Sequence, residues 1–168
     1  HGPVLTETIP HVLDLYRIWS SYGVESEGVF IAYASLHGNT AAAAEQLADL
    51  LRSKGCPKVT VADLARCDMA EALEDAFRYG KIVLAAATYN AGIMPFMEDF
   101  LHHLKAKNYQ KRTVGLMENG SWAPFAVTGR TDIRATMKDI TILPETVTLQ
   151  GPAKESDLPA MEALASAL

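Results

Sequence analysis

From Gly28 onward, short apolar runs alternate with longer segments in which apolar residues recur every three or four positions. The short runs predict β-strands and the longer segments predict helices, and their strict alternation is typical of βα units with a parallel sheet. The predicted strands are 29–34, 59–64, 82–87, 113–117 and 146–149, and the predicted helices are 40–54, 69–79, 94–107, 124–139 and 158–168. The sequence therefore predicts an α/β domain, doubly wound, with a five-stranded parallel sheet.

The first 27 residues differ from the rest of the chain. They contain a short amphipathic stretch that breaks at a Ser-Ser-Tyr-Gly sequence. We interpret residues 1–27 as a helical connector that leads into a domain formed by residues 28–168. The apolar residues of the stretch are Val12, Leu13, Leu15, Tyr16, Ile18 and Trp19.

Length and charge exclude several classes of protein. The 168 residues correspond to about one domain, and a formal net charge of −5 argues against a basic nucleic-acid-binding face. The apolar run at 82–87 is one of the longest, whereas a membrane-spanning helix needs about twenty such residues. Cys56 and Cys67 match no CxxC or zinc spacing, which suits a reducing, cytoplasmic compartment. We therefore expect neither a nucleic-acid nor a membrane partner.

The loop after the first predicted strand has the composition of a phosphate-binding loop. Hydroxyl and amide side chains, a glycine and the positive end of a helix dipole together favour an anion. The sequence has neither a GxG fingerprint nor a Gly-Lys-Ser/Thr motif, which favours a ligand with one phosphate and no Mg²⁺. An ordinary helix N-cap is the alternative. The loop residues are Ser35, Leu36, His37, Gly38, Asn39 and Thr40.

Two further loops follow the third and fourth predicted strands. In an open α/β sheet, ligands bind beyond the carboxyl ends of the strands, where the strand order reverses. The second loop places an aromatic ring, an amide and a glycine where a flat ring system could lie, although an ordinary turn uses the same residues. The tryptophan of the third loop is better explained as one wall of an aromatic sandwich than by core packing. The residues are Thr88, Tyr89, Asn90, Ala91 and Gly92 in the second loop and Asn119, Gly120, Ser121 and Trp122 in the third.

These motifs resemble a known family. The pattern Ser35-x-x-Gly38-Asn39-Thr40 resembles the phosphate loop of flavodoxins, and the stretches 88–98 and 119–122 are similar to the flavodoxin-like domain of A-type flavoproteins, the flavodiiron proteins. The resemblance covers residues 29–124 well. In the last forty or so residues, only the general pattern of the sequence is similar. It implies a flavodoxin-like fold with strand order 2-1-3-4-5 and bound FMN. His37 departs from flavodoxins, which usually have threonine there.

The resemblance also implies a role for each loop and for the chain. Ser35, Asn39 and Thr40 would hold the phosphate, Trp122 and Tyr89 would flank the isoalloxazine ring, and the turn ending at Gly92 would tune its redox states. The domain would relay electrons to a diiron centre that reduces oxygen or nitric oxide. The donor would be a rubredoxin-like protein or an NAD(P)H-linked reductase, and the intact protein would form a head-to-tail homodimer.

The start of the chain can be interpreted in the same way. In flavodiiron proteins a β-lactamase-like diiron domain precedes the flavodoxin-like domain, and a His-Gly pair near the junction supplies an iron ligand. His1-Gly2 resembles that pair, so His1 would bind metal only together with the upstream domain. The alternative is that His1-Gly2 is a non-native remnant.

Two other functions remain open at this stage. A free-standing FMN enzyme that reduces quinones or similar small acceptors with NAD(P)H would share the sheet and the phosphate loop. A phosphorylated receiver domain would need an aspartate at the end of the third strand, where this sequence has Ala87-Thr88. We also expect Lys105, Lys107, Lys111 and Arg112 to form a solvated, charged helix end.

Overall fold

The computed structural model of the protein describes residue 2 and residues 4–120 and 125–168. The chain alternates strands and helices almost throughout. In chain order the elements are α1 (Ile9–Ser20), β1 (Ser26–Ala34), α2 (Asn39–Ser53), β2 (Val59–Asp63), α3 (Met69–Arg78), β3 (Tyr79–Tyr89), β4 (Gly92–Ile93), α4 (Pro95–Ala106), β5 (Gln110–Asn119), α5 (Phe125–Thr136), β6 (Lys138–Leu149) and α6 (Leu158–Ala167), with a 3-10 turn at Glu155–Asp157 before α6.

Five strands form a parallel sheet in the order β2-β1-β3-β5-β6. In its central part Ile31 of β1 is paired with Val61 and Val83, and Met117 of β5 is paired with Val147. The two-residue β4 lies outside this order and pairs antiparallel with β3. The predicted fold class and the strand order 2-1-3-4-5 are thus confirmed, with β4 as an additional hairpin strand.

Helices cover both faces of the sheet, as the apolar strands predict. One core packs β1, β3 and β5 against α3 and α4 through residues such as Phe30, Leu84 and Phe100, which are fully or almost fully buried. The other packs the opposite face against α2 and α6 through residues such as Val83 and Leu47. Burial of each such side chain contributes about 1.5–3 kcal/mol, so the two cores hold the sheet rigid.

The last strand begins earlier than the sequence predicts. We predicted a helix over 124–139 and a strand over 146–149, but α5 ends at Thr136 and β6 begins at Lys138. Ile133, Met137 and Ile140 have helical spacing, while Ile140 and Ile142 alternate with polar residues as in an edge strand. Pairing with β5 resolves the ambiguity in favour of the strand. The ladder shifts its register where Val114 pairs with Ile142 and Leu116 with Thr146.

The charged cluster near β5 is only partly solvated. Arg112 is 3% exposed, and burial lowers the pKa of its guanidinium. Lys111 donates a hydrogen bond from Nζ to the Ser21 carbonyl, 3.0 Å away. The prediction of a solvated helix end is therefore wrong for Arg112, because its guanidinium is buried among backbone carbonyls, three of which are distant in sequence. Among the described residues, no helix is both long enough and apolar enough to cross a membrane.

Candidate functional site

The three predicted loops begin at neighbouring positions on one edge of the sheet. Ala86 of β3 is paired with Ala34 of β1 on one side and with Glu118 of β5 on the other. The strand order reverses between β1 and β3, which are neighbours in the sheet although β2 lies between them in the chain. The structure thus brings the first loop, the second loop and the start of the third together at the topological switch point.

The first loop is built around a left-handed glycine. Gly38 is the N-cap of α2 with φ of 85°, and its N–H donates to Ser35 Oγ at 3.0 Å. A Cβ at Gly38 would meet nothing within 4 Å, so the loop is open toward solvent. Thr40 is buried, Ser35 and Asn39 are half-buried, and Leu36 and His37 are exposed.

The start of α2 has open hydrogen-bond donors. Among the described residues no side chain caps the helix, which differs from the ordinary N-cap considered as the alternative for this loop. The first backbone N–H groups of an α-helix have no carbonyl partner within the helix, and the helix dipole makes its amino end positive. The first loop can therefore offer backbone donors and a partial positive charge to an anion.

The second loop is a tight two-residue hairpin. Asn90 and Ala91 connect β3 to β4 with φ of 47° and 59°, while Tyr89 pairs with Gly92. Positive φ at both central residues is typical of a type I′ turn, and it is unfavourable for alanine. At Gly92, where this turn ends, an added Cβ would make only an ordinary contact of 3.6 Å with the Tyr89 carbonyl. The backbone strain therefore lies at Asn90 and Ala91.

Replacing Ala91 by glycine is expected to raise the free energy of unfolding by about 0.5–1 kcal/mol, because glycine relieves the left-handed strain and loses only part of that gain to backbone entropy. Urea unfolding of the protein would measure the change. Gly92→Ala is the matched control in the same hairpin, with an expected change within about 0.5 kcal/mol. A decrease in stability for Ala91→Gly would contradict the strained turn.

The end of β3 contains an unsatisfied hydroxyl. Thr88 Oγ1 is buried and has no hydrogen-bond partner among the residues that the structure describes. It lies against Gly120, where an added Cβ would be 2.5 Å from Thr88 Oγ1 and 2.8 Å from Thr88 Cβ. A buried polar group without a partner costs about 1–3 kcal/mol, and such groups in native proteins need an explanation. A bound ligand at this edge would supply one.

The end of β5 is held by side-chain pairs with β6 and the segment after it. Asn119 donates from Nδ2 to the Gly151 carbonyl at 2.9 Å and accepts the Gly151 N–H on Oδ1 at 2.9 Å. Both ends of the Asn119 amide are thus engaged, which leaves its backbone rather than its side chain for a ligand. Glu118, which we did not predict as a site residue, is 4% exposed and accepts a hydrogen bond of 2.6 Å from Thr148 Oγ1.

Large apolar side chains surround this edge. Leu36, Tyr89 and Phe96 are 48%, 40% and 44% exposed, respectively. The N–H of Met94 bonds to the Ala87 carbonyl at 3.2 Å, which brings the start of α4 beside the end of β3. We did not predict Phe96 as a site residue. Its position just after Pro95, at the start of a helix that follows the second loop, is the sequence feature that could have indicated it. Exposed apolar groups beside open donors suit a ligand with one flat apolar part and one anionic part.

Three predicted site residues, Ser121, Trp122 and His1, lie outside the described residues. Their roles stay predictions from the sequence. Within the described part of the chain, no group of three or more His, Cys, Asp or Glu residues is arranged to hold a metal ion.

The chain is similar to several known proteins in sequence and in fold. The chain is 28% identical over 111 residues to the coenzyme F420H(2) oxidase of Methanothermobacter marburgensis, covering 66% of this chain and 27% of that protein. Its fold matches rubredoxin oxygen:oxidoreductase from Desulfovibrio gigas with a TM-score of 0.84 at 18% identity, over 95% of this chain and 39% of that chain. The flavodiiron protein from Giardia intestinalis gives a TM-score of 0.79 at 19% identity, over 96% and 41% of the two chains.

The chain thus spans about a quarter of the curated relative and about two fifths of these solved structures. The structural matches establish the fold, which is the one that the sequence motifs imply. Residues 30–153 also match the family model described as Flavodoxin domain, which is most of the chain. The sequence match and the fold therefore agree that this chain belongs to the flavodoxin domain family.

Proposed function

We propose that this domain binds FMN non-covalently at the carboxyl edge of the sheet and transfers electrons. In a longer flavodiiron protein it would relay them to a diiron centre that reduces oxygen or nitric oxide. Membership of the flavodoxin domain family supports the flavin, and the relatives named as oxidases and flavodiiron proteins support the relay. Residues 1–27 would connect an upstream β-lactamase-like diiron domain to the FMN domain of 28–168, and His1 would bind iron only in that context.

The observation that carries the proposal is the Thr88 hydroxyl beside Gly120, which has no partner in the described part of the chain and lies at the same edge as the open start of α2. FMN has both a phosphate for the helix start and polar ring and ribityl atoms for a buried hydroxyl. A side chain at position 120 would collide with Thr88, so glycine is what allows the third loop to approach the end of β3 this closely. The residues present therefore fit the cofactor.

Each loop would contribute one part of the binding. The backbone N–H groups that begin α2, with Ser35, Asn39 and Thr40, would hold the phosphate. Ser35 Oγ accepts the Gly38 N–H, which stabilises the loop conformation, and its own O–H could still donate to the phosphate. Thr88 and the hairpin at Asn90 and Ala91 would lie against the ring system, together with Tyr89, Gly120 and Trp122. When bound, FMN supplies one-electron transfer chemistry.

Titration of the flavin-free protein with FMN tests the proposal. We expect quenching of flavin fluorescence with a dissociation constant of about 1 µM or below. Riboflavin, which lacks the phosphate, is expected to bind about 100-fold more weakly, because it cannot use the start of α2. Trp122→Ala is expected to weaken FMN binding as well. Unquenched flavin would refute the site, and equal affinity for riboflavin would refute the phosphate loop.

The same preparation distinguishes the relay from a free-standing NAD(P)H reductase. Tyr89 and Trp122 would occupy the space over the flavin that a nicotinamide ring needs. We therefore expect the FMN-loaded domain to oxidise NADH far more slowly than an enzyme with a typical turnover of about 10 per second. Rapid NADH oxidation would favour the reductase, and reduction by a rubredoxin-like donor would support the proposed partner.

A further inference from the structure

The amino edge of the sheet, opposite the candidate site, holds a buried guanidinium that none of the functional arguments uses. Arg112 lies near the start of β5 and donates from Nη1 to the carbonyls of Tyr22 at 2.8 Å, Lys111 at 3.1 Å and Gln110 at 3.3 Å. From Nη2 it donates to the carbonyls of Gly23 at 2.9 Å and Phe77 at 2.6 Å. One side chain thus joins the segment before β1, the end of α3 and the start of β5.

The partners of Arg112 are dipoles rather than charges. None of the ion pairs among the described residues includes Arg112, although it is 3% exposed. The ring centroid of Tyr109 lies 5.9 Å from its Cζ, which adds a cation–π contact. A planar fork with five donors can bond to carbonyls on several sides at once, whereas a lysine ammonium is a compact point charge with three donors. The arrangement therefore depends on arginine itself.

The helix that precedes this segment has little other support. No residue of α1 is buried, and Ile9, Leu13 and Tyr16 expose 46%, 52% and 62% of their surface. Its last turn is tied to the domain by Trp19 Nε1, which donates to Glu25 Oε2 at 2.8 Å, and Glu25 is paired with Arg78 at 3.5 Å. The direction of α1 is thus set at its carboxyl end.

We propose that Arg112 is the clamp that fixes residues 21–25 to the sheet and thereby determines the direction in which α1 and its exposed apolar face leave the domain. Two of its five carbonyl partners, those of Tyr22 and Gly23, belong to this segment, and they lie 90 and 89 residues away in sequence. The clamp is at the opposite edge from the flavin loops, so it acts independently of cofactor binding.

Native-state amide hydrogen exchange on the whole 168-residue chain tests the clamp through Arg112→Lys. Three amides report on the segment: Tyr22 N–H to the Trp19 carbonyl, Gly23 N–H to the Ile18 carbonyl and Glu25 N–H to the Arg78 carbonyl. We expect them to exchange at least about tenfold faster in the variant, while central amides of β1 and β3 change by less than about twofold. FMN affinity should stay within about twofold.

Two matched variants distinguish the contribution of Arg112 from that of the other side chains that contact residues 21–25. Lys111→Met removes the exposed donor to Ser21, and Trp19→Phe removes the donor to Glu25. Each should accelerate the three amides less than Arg112→Lys does. If Trp19→Phe has the larger effect, the Trp19–Glu25 pair is the anchor and the proposal fails. Uniform acceleration across the sheet, or loss of the fold in Arg112→Lys, would also overturn it, because Arg112 would then support the domain as a whole.

The unsubstituted protein provides a second, independent measurement. If the clamp fixes the segment, the amides of Gly23 and Glu25 should exchange at least about tenfold more slowly than those in the middle of α1, which has no buried residue. Equal protection along residues 13–25 would overturn the proposal even if no variant were made.

Discussion

Replacing Thr88 by valine is expected to weaken FMN binding by about tenfold to a hundredfold while raising the free energy of unfolding of the flavin-free domain by about 1 kcal/mol. The two effects have opposite signs for one reason. Valine has nearly the same shape as threonine but lacks the hydroxyl, whose oxygen is buried and has no partner within the described ranges 4–120 and 125–168. If FMN forms a hydrogen bond with this hydroxyl, that bond is absent in the valine variant and the affinity for FMN falls.

Fluorescence titration with FMN and urea unfolding without FMN would measure the two changes. Thr88→Ser is the matched control, since it keeps the hydroxyl and removes only a methyl group. Its FMN affinity should stay within about threefold of the unsubstituted protein. If Thr88→Val binds FMN as tightly as the unsubstituted protein, the hydroxyl is not part of the site.

Replacing Gly28 by alanine is expected to lower the free energy of unfolding by about 3–5 kcal/mol. Gly28 has φ of 154°, and an added Cβ would be 2.5 Å from the Lys58 carbonyl oxygen and 2.9 Å from Lys58 Cβ. That carbonyl accepts the Val29 N–H at 2.9 Å, so it cannot move away without loss of a bond between β1 and the segment before β2. Backbone strain and overpacking therefore add.

Thermal unfolding would detect this loss as a fall in Tm of about 10 °C. Gly55→Ala is the matched control, because Gly55 also has a positive φ of 86° but an added Cβ there meets nothing within 4 Å. It should cost only about 1 kcal/mol for the left-handed backbone. Similar losses for the two variants would show that backbone strain alone, rather than the contact with Lys58, explains the need for glycine at position 28.

Local pattern predicted most of the elements but not all of their bounds. The helices over 40–54 and 94–107 agree with α2 and α4 to within about one residue at each end, since a 3.6-residue period and clear turn residues define them. The start of β6 was missed because Ile133, Met137 and Ile140 fit a helix equally well. Pairing with β5 decides that case, and strand pairing cannot be read from one segment alone.

The candidate site divides in a similar way. The sequence predicted which loops meet, because the carboxyl ends of parallel strands share one edge of the sheet. It did not show that the Asn119 amide bonds to Gly151, that the strained residues of the hairpin are Asn90 and Ala91, or that Phe96 is exposed at the start of α4. Each of these facts depends on backbone geometry or on a partner far along the chain.

By itself, the sequence determined the alternation of strands and helices, the doubly wound class of the domain and the position of its loops, because periodicity and turn chemistry act over a few neighbouring residues. Only the tertiary structure decided that the Thr88 hydroxyl has no partner among the described residues, that Gly28 lies against Lys58 and that Arg112 is buried among backbone carbonyls. In each case the residue is in contact with a group from a distant part of the chain, and only the packing of the folded protein brings that group next to it.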